Sequence, residues 1–373
     1  MNRAMGIILT GGKNNRLKEL SLERSIAAVP FGGKYRAIDF VLSNFVNSGI
    51  VNVGVITQYN FRSLVDHLGS GKEWDLDRKN EGLFIFPPYL SEIGTGWYKG
   101  TADSMYNNLT YLQRSDEEYV VITQGYAIYN MDYTPIIKAH AESGADITIV
   151  VHDLTDFSVT EQRLLGVVET DESGRIIDFQ EKPLNPKKSL CSMGVYVIRR
   201  ELLIELLQDC AAHGYTEFVN DLLIKNVHSI HMKAYRFLGY WRPMSTIQLF
   251  YRANMELLNP KIRAELLMDR RRIYTKVKDE TPAKYNEEAD VRNSIVADGC
   301  IIEGCVENSI LFRGVKIMKG AIVKDSIVMQ GSVVSEGVYL KHTILDKGVI
   351  VTTGKHLQGD LEWPLIVGKN VTV

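Results

Sequence analysis

From Asn293 onward the chain repeats itself, and nothing else in the sequence limits its fold so tightly. Set in rows, the segment reads NSIVADGCIIEGCVE, NSILFRGVKIMKGAIVK, DSIVMQGSVVSEGVYLK and HTILDKGVIVTTGKHLQ. The last three rows hold 17 residues and begin at Asn308, Asp325 and His342; the first holds 15. Gly299, Gly314, Gly331 and Gly348 take the same place in successive rows. Within the rows aliphatic residues recur every five or six positions: Leu311, Ile317, Val323, then Val328, Val334, Leu340, then Leu345 and Val351. Three faces of about six residues per coil is the pattern of a left-handed hexapeptide parallel β-helix. A single coil cannot bury its own apolar face, so stability comes from stacking, and an open end of the stack is expected to dock on another domain or chain. The same solenoid occurs in acyltransferases, which need a catalytic histidine on a coil. His342 and His356 are the candidates in these rows, and both read as corner or surface residues.

The first two-thirds have a different texture. A short apolar run (Ile7, Ile8, Leu9) breaks into Thr10, Gly11 and Gly12, and a long irregular stretch follows. A helix is expected from near Tyr35, with Ile38, Val41, Leu42, Phe45 and Val46 on one face and Gly49 at its end. A second apolar run, 51–56, comes directly after. Strand, loop, helix and strand make a βαβ unit, whose ligand crevice lies at the carboxyl end of the first strand. Gly11 and Gly12 lack a Cβ and let backbone approach a phosphate closely. Runs at 119–122, 147–151 and 194–198 read as buried strands and 201–207 as the start of a helix, which argues an α/β domain with a mostly parallel sheet. Ile247, Phe250, Tyr251, Leu257 and Leu258 mark a helix over 246–259 that stops at Asn259-Pro260. The expected division is therefore 1–245 for the α/β domain, 246–288 for a helical connector and 289–373 for the β-helix.

With 373 residues, 45% hydrophobic and 24% charged, the chain has ample core for two domains. A formal net charge of -2 argues against nucleic acid as the main partner, and Arg270-Arg271-Arg272 reads as a solvated basic face. No apolar stretch approaches the roughly 20 residues that span a bilayer, and no signal-peptide pattern precedes the first strand, so neither membrane nor export is expected. Cys191, Cys210, Cys300 and Cys305 show no metal-type pairing and read as reduced thiols of a cytoplasmic protein.

The order of motifs is more specific than any one of them. GG, RL, AVPFGGKYR, IDFVLSN and NSGI follow one another, and then come WYKGTADSMYNN, NMDY, GVVETDESGRIIDFQEKP, SMGVYVI and GYWRPMSTI. In this the chain resembles bacterial glucose-1-phosphate adenylyltransferase (ADP-glucose pyrophosphorylase) over nearly its whole length. The resemblance implies attack of a sugar 1-phosphate on the α-phosphate of ATP, with release of pyrophosphate. Such a transfer needs donors for the triphosphate, carboxylates for Mg²⁺ and a cation for the sugar phosphate. By the family's pattern Gly11, Gly12, Arg16, Gly100, Thr101 and Asp103 are remnants of the nucleotide side. Glu181, Lys182, Ser192 and Gly194 match the sugar-phosphate side, and Lys34 and Arg36 match the region that binds phosphorylated sugar activators.

Asn107 replaces the usual glutamine of that pattern, and four further departures bear on the chemistry. Asn14 stands for the third glycine of the nucleotide loop, and Ile26 for the lysine that meets the phosphates. Tyr126 and Pro243 stand for the two aspartates that hold the metal. A neutral phenol and an imino-acid ring do not replace carboxylates for a hard cation, so no catalytic residue and no retained Mg²⁺ are expected. The chain thus resembles the GlgD-type, regulatory subunit of that enzyme. The implied partners are a catalytic subunit, or self-association, in a tetramer, together with sugar phosphates. Two alternatives stay open: a weak or altered enzyme that holds its metal through another group, such as Asp132 or Asp103, or uses a different nucleotide, and a stand-alone sugar-phosphate sensor.

Overall fold

The computed structural model describes residues 3–12, 15–89, 96–186, 188–268 and 270–373. Nine strands form the central sheet: β1 (Ala4–Leu9), β2 (Asn52–Ile56), β3 (Gly82–Phe86), β4 (Tyr119–Gln124), β5 (Ile147–Asp153), β6 (Gly166–Thr170), β7 (Ile176–Glu181), β8 (Leu190–Arg199) and β9 (Met232–Arg236). Their order is β7-β6-β8-β4-β1-β2-β3, with β5 also on β8 and β9 on β5. β1 pairs in parallel with β2 and β4, as β2 does with β3 and β9 with β5. β8 runs antiparallel to β4, β5 and β6, and β7 antiparallel to β6, so these two strands alone oppose the common direction. The sheet is mostly parallel, as expected.

Strand alternation sorts the two cores. Met5, Ile7 and Leu9 of β1 face one apolar cluster, and Ile8 faces the other. Gly6 faces the same side as Ile8: a Cβ there would stand 2.8 Å from the ring of Phe45. Its bare backbone lets the helix Ala37–Asn47 lie close on the sheet. Asp39 accepts the Arg36 backbone N–H at that helix's start (2.9 Å), and Gly49 follows its end at φ +73°.

The helix expected over 246–259 is shorter. It spans Ile247–Glu256, and the Asn259 side chain then accepts from Lys261 N and caps a new turn that starts at Pro260. Here proline opens a helix, because at the first helical position its missing N–H costs nothing. The solenoid also begins earlier than 289, at Lys284–Tyr285, which pairs with Ile301–Ile302. Both residues are exposed, so this first rung carries no apolar signature.

Three five-stranded parallel sheets wrap the solenoid. Its register follows the rows: Ile310 pairs with Ile327 and Ile327 with Ile344. Asn293, Asn308, Asp325 and His342 all sit at φ between 41° and 47°, one left-handed corner per coil. His342 Nδ1 meets the Tyr251 hydroxyl at 3.0 Å, and exposed His356 packs at a tilt against the ring of Tyr339. A face of the solenoid, rather than its end, docks on the α/β domain. Ile310, Phe312, Ile327, Met329 and Ile344 share one cluster with Phe31, Tyr35, Phe250 and Leu257.

A buried ion pair crosses this seam, beside the exposed pair Glu23–Lys369. Arg24 is 4% exposed and Asp346 0%, and they meet through two parallel bonds of 2.8 and 2.9 Å. Asp346→Ala leaves the Arg24 charge buried without its partner and is expected to cost about 3–5 kcal/mol in urea unfolding. The double change Arg24→Met with Asp346→Leu, which removes both charges, recovers most of that loss.

Candidate functional site

The first crevice opens at the carboxyl ends of β1 and β4. Gly125 N donates to Leu9 O (2.9 Å), which lashes the two strand ends together. Gly11 takes φ +81°, and a Cβ there would lie 3.2 Å from Ile26 Cγ2 and 3.3 Å from Tyr126 Cε1. Beyond Tyr126 the chain runs as a two-residue strand, Ala127–Ile128, antiparallel to Arg242–Pro243, with Pro243 opposite Ala127. Met244 N donates to Tyr126 O (3.0 Å). Folding therefore brings Ile26 and Tyr126 against Gly11 and sets Pro243 opposite the residue after Tyr126, although they come from distant parts of the sequence. Asn14 lies outside the described residues. Arg16 sits exposed in the turn Asn15–Ser21.

The residues at this place do not suit a divalent ion. Pro243 has no side-chain donor atom. Burial, and secondarily the charge of Glu181, push the Tyr126 phenol up from its ordinary value, so it stays protonated and neutral. Mg²⁺ wants anionic oxygen at short distance. The carboxylates named as substitutes are engaged elsewhere: Asp132 accepts Thr134 N (2.8 Å) and Asp103 accepts Lys99 N (2.8 Å).

The positions matched to the sugar phosphate border the same crevice. Glu181 ends β7 and pairs with the Lys182 ammonium, and Lys182 itself takes φ +52°. Ser192 Oγ accepts Gly194 N (3.2 Å) at a register break in β8, where Gly194 at φ +71° passes the Gln124 side chain. Tyr196, which the motifs did not single out, carries a phenol pushed up by burial, with the charges of Glu181 and Tyr126 added. Gly100, Thr101 and Asp103 instead meet the 216–218 segment. A Cβ on Gly100 would lie 2.4 Å from Thr216 O, Asp103 N donates to Thr216 O, and Thr101 Oγ1 donates to Glu217 (2.9 Å).

A second site lies in the cleft between the domains. Gly32 and Gly33, at φ +58° and +88°, turn the chain between the helix Ile247–Glu256 and the solenoid. A Cβ on Gly32 would stand 2.8 Å from Leu257 Cδ1, so only glycine threads this gap unstrained. The turn delivers Lys34 and Arg36 to a cleft also lined by His67, Lys276, Lys278, Arg313 and Lys347. Arg36 donates to Ser63 O (2.5 Å), and His67 Nε2 lies 2.5 Å from Asp39. Burial, then Arg36 and Arg24, push the Lys347 ammonium down to about 7. Motif reading found Lys34 and Arg36 and missed the rest. A signal was present: Arg313, Gln330 and Lys347 each precede the row glycine, 17 residues apart.

Comparison with known proteins agrees with this architecture. Residues 5–260 match the family described as Nucleotidyl transferase, and residues 280–363 match one described as GlmU-like, C-terminal hexapeptide. A glucose-1-phosphate adenylyltransferase of Geobacillus stearothermophilus is 40% identical over 325 residues, 86% of this chain and 83% of its own length. The proteins of the same name from Fervidobacterium nodosum and Clostridium beijerinckii are 42% and 41% identical, over 87% of this chain and 78% and 84% of theirs. The chain belongs to the glucose-1-phosphate adenylyltransferase family, built from a nucleotidyl transferase domain and a hexapeptide solenoid. Among the described residues no helix is long and apolar enough to cross a membrane.

The cleft lysine makes stability depend on pH. In the unfolded chain a lysine holds its proton to about pH 10.4; folded, Lys347 releases it near 7. Between those values unfolding takes up a proton, so Lys347's contribution makes stability rise with pH above about 7 and stay level below it. Thermal melts of the wild type against Lys347→Met, from pH 6 to 9, are expected to show this slope only in the wild type.

Proposed function

We propose that this chain is a regulatory, catalytically deficient subunit that acts beside a catalytic glucose-1-phosphate adenylyltransferase in glycogen synthesis. The reaction it modulates joins ATP and glucose 1-phosphate to give ADP-glucose and pyrophosphate. One observation carries the reading: the two positions the family resemblance gives to metal-binding carboxylates hold neutral side chains, Tyr126 against Gly11 and Pro243 on the strand opposite Ala127, the residue after Tyr126. A fold that keeps its shape but offers no anionic oxygen there retains recognition and loses the stabilisation of developing phosphate charge. The cationic cleft supports an effector role in the same direction. Lys34, Arg36 and Lys347 suit a phosphorylated sugar, and the cleft touches both domains, so occupancy there bears on how they sit together. The working assembly is a hetero-oligomer with the catalytic subunit, a tetramer in this reading, in the cytoplasm.

The purified chain, assayed with ATP, glucose 1-phosphate and Mg²⁺, is expected to give no turnover above background. Mixed with a catalytic homologue, it is expected to shift that enzyme's rate or its response to fructose 1,6-bisphosphate. Substantial turnover by the chain alone defeats the reading. The paired change Tyr126→Asp with Pro243→Asp is expected to move the chain toward metal-dependent activity; a wild type already active and indifferent to that change favours the altered-enzyme alternative. The cleft also suits a stand-alone sensor. Tight calorimetric binding of sugar phosphates with no catalytic subunit recovered by pull-down is the result that selects it.

A further inference from the structure

Gly11 is the point where backbone must stay bare for a triphosphate to approach, and here two side chains cover it. A Cβ on Gly11 would be 3.2 Å from Ile26 and 3.3 Å from the Tyr126 ring, so both already touch this turn of the loop. The ring is anchored from behind. Its own carbonyl accepts Met244 N, and the next residue pairs with Pro243, so the Tyr126 backbone is held in place beside Gly11. Ile26 is equally fixed, 4% exposed in a 3-10 turn and packed among Leu17, Leu20 and Phe31. Among the described residues the Tyr126 hydroxyl has no hydrogen-bond partner, and the acidic charge that bears on it belongs to Glu181, at the sugar-phosphate end of the crevice.

We propose that Tyr126, with Ile26 behind it, is a specificity-determining plug: it fills the nucleotide half of the crevice and leaves a site for a phosphorylated hexose alone, held without a divalent ion. This rests on the reading above that Glu181, Lys182, Ser192 and Gly194 keep the sugar-phosphate half. The plug acts in two ways. Its ring excludes the triphosphate sterically from Gly11, where a metal-free site without the plug would still offer backbone N–H donors to an anion. Its hydroxyl, protonated and unshared, donates to a ligand oxygen beside Glu181, the work that a metal-bound water does in a metal-dependent site. The substitution at 126 thus changes what binds as well as what reacts.

Calorimetry on the full chain in EDTA tests this, with glucose 1-phosphate and ATP as separate titrants. The wild type is expected to bind glucose 1-phosphate equally well with EDTA or Mg²⁺, and to give no heat with ATP. Tyr126→Ala opens the pocket and is expected to gain ATP binding. Tyr126→Phe keeps the ring and removes the donor, so it is expected to stay closed to ATP and to weaken glucose 1-phosphate roughly tenfold. Ile26→Ala, which trims the other half of the cover, serves if Tyr126→Ala does not fold. Wild-type ATP binding as tight as in the opened variant, or loss of glucose 1-phosphate binding in EDTA, overturns the plug. Failure of the regulatory reading looks different: the chain leaves a catalytic homologue unaffected while this binding pattern holds.

Discussion

The structure depends on a dry seam between an α/β domain and one face of a solenoid. Solenoid faces normally present polar residues to water, and here Ile310, Ile327 and Ile344 are fully buried instead, stacked in register and pressed on Phe250 and Leu257. Burial on this scale, at about 25 cal/mol per Å² of apolar surface, holds the two domains as one body more firmly than any polar contact across it. The Arg24–Asp346 pair sits within that apolar surround and adds direction. Two parallel bonds fix how the last coils lie against the segment that leads into Ile26. Neither partner has water to fall back on, so the pair is a constraint before it is a source of stability.

Because the seam is fixed, both functional regions are fixed with it. The crevice beside Gly11 borders the segment that Arg24 tethers, and the cationic cleft borders the residue after Asp346. Lys347 donates its backbone N–H to the Asp346 carboxylate (2.7 Å) while its ammonium faces Arg36 and Lys278. Two adjacent residues of one solenoid turn, Asp346 and Lys347, together with Arg24 therefore connect anion recognition in the cleft to the loop that the family resemblance assigns to a nucleotide. In the proposed regulatory role this is the physical path by which occupancy at one end bears on shape at the other.

Much of the fold was legible in the primary structure, since it rests on local periodicity. The 17-residue rows declared the solenoid, and Ile7, Ile8 and Leu9 with the amphipathic pattern after Tyr35 declared the βαβ unit. What stayed hidden was non-local or apolar-poor. Lys284–Tyr285 forms a strand with both side chains exposed, so no hydrophobic pattern announces it. Pro260 opens a turn where a break was expected, because the capping amide of Asn259 precedes it. At the site, motif order singled out Tyr126 and Pro243, but no motif says that Tyr126 lies on Gly11 or that the charge of Glu181 bears on Tyr196. Lys276, Lys278, Arg313 and Lys347 join Lys34 only after the domains dock, and pairwise proximity across such separations has no one-dimensional signature.

The column of residues that precede the row glycines has a consequence for how such a cleft changes over time. Arg313, Gln330 and Lys347 occupy equivalent steps of a ladder whose inward rungs are identical in kind. Stacking constrains the aliphatic positions and leaves each outward step to vary independently. The electrostatic character of the cleft can thus be retuned one residue at a time, rung by rung, while the core and the docked seam stay untouched. A scaffold of this type can diversify its ligand preference without renegotiating its fold.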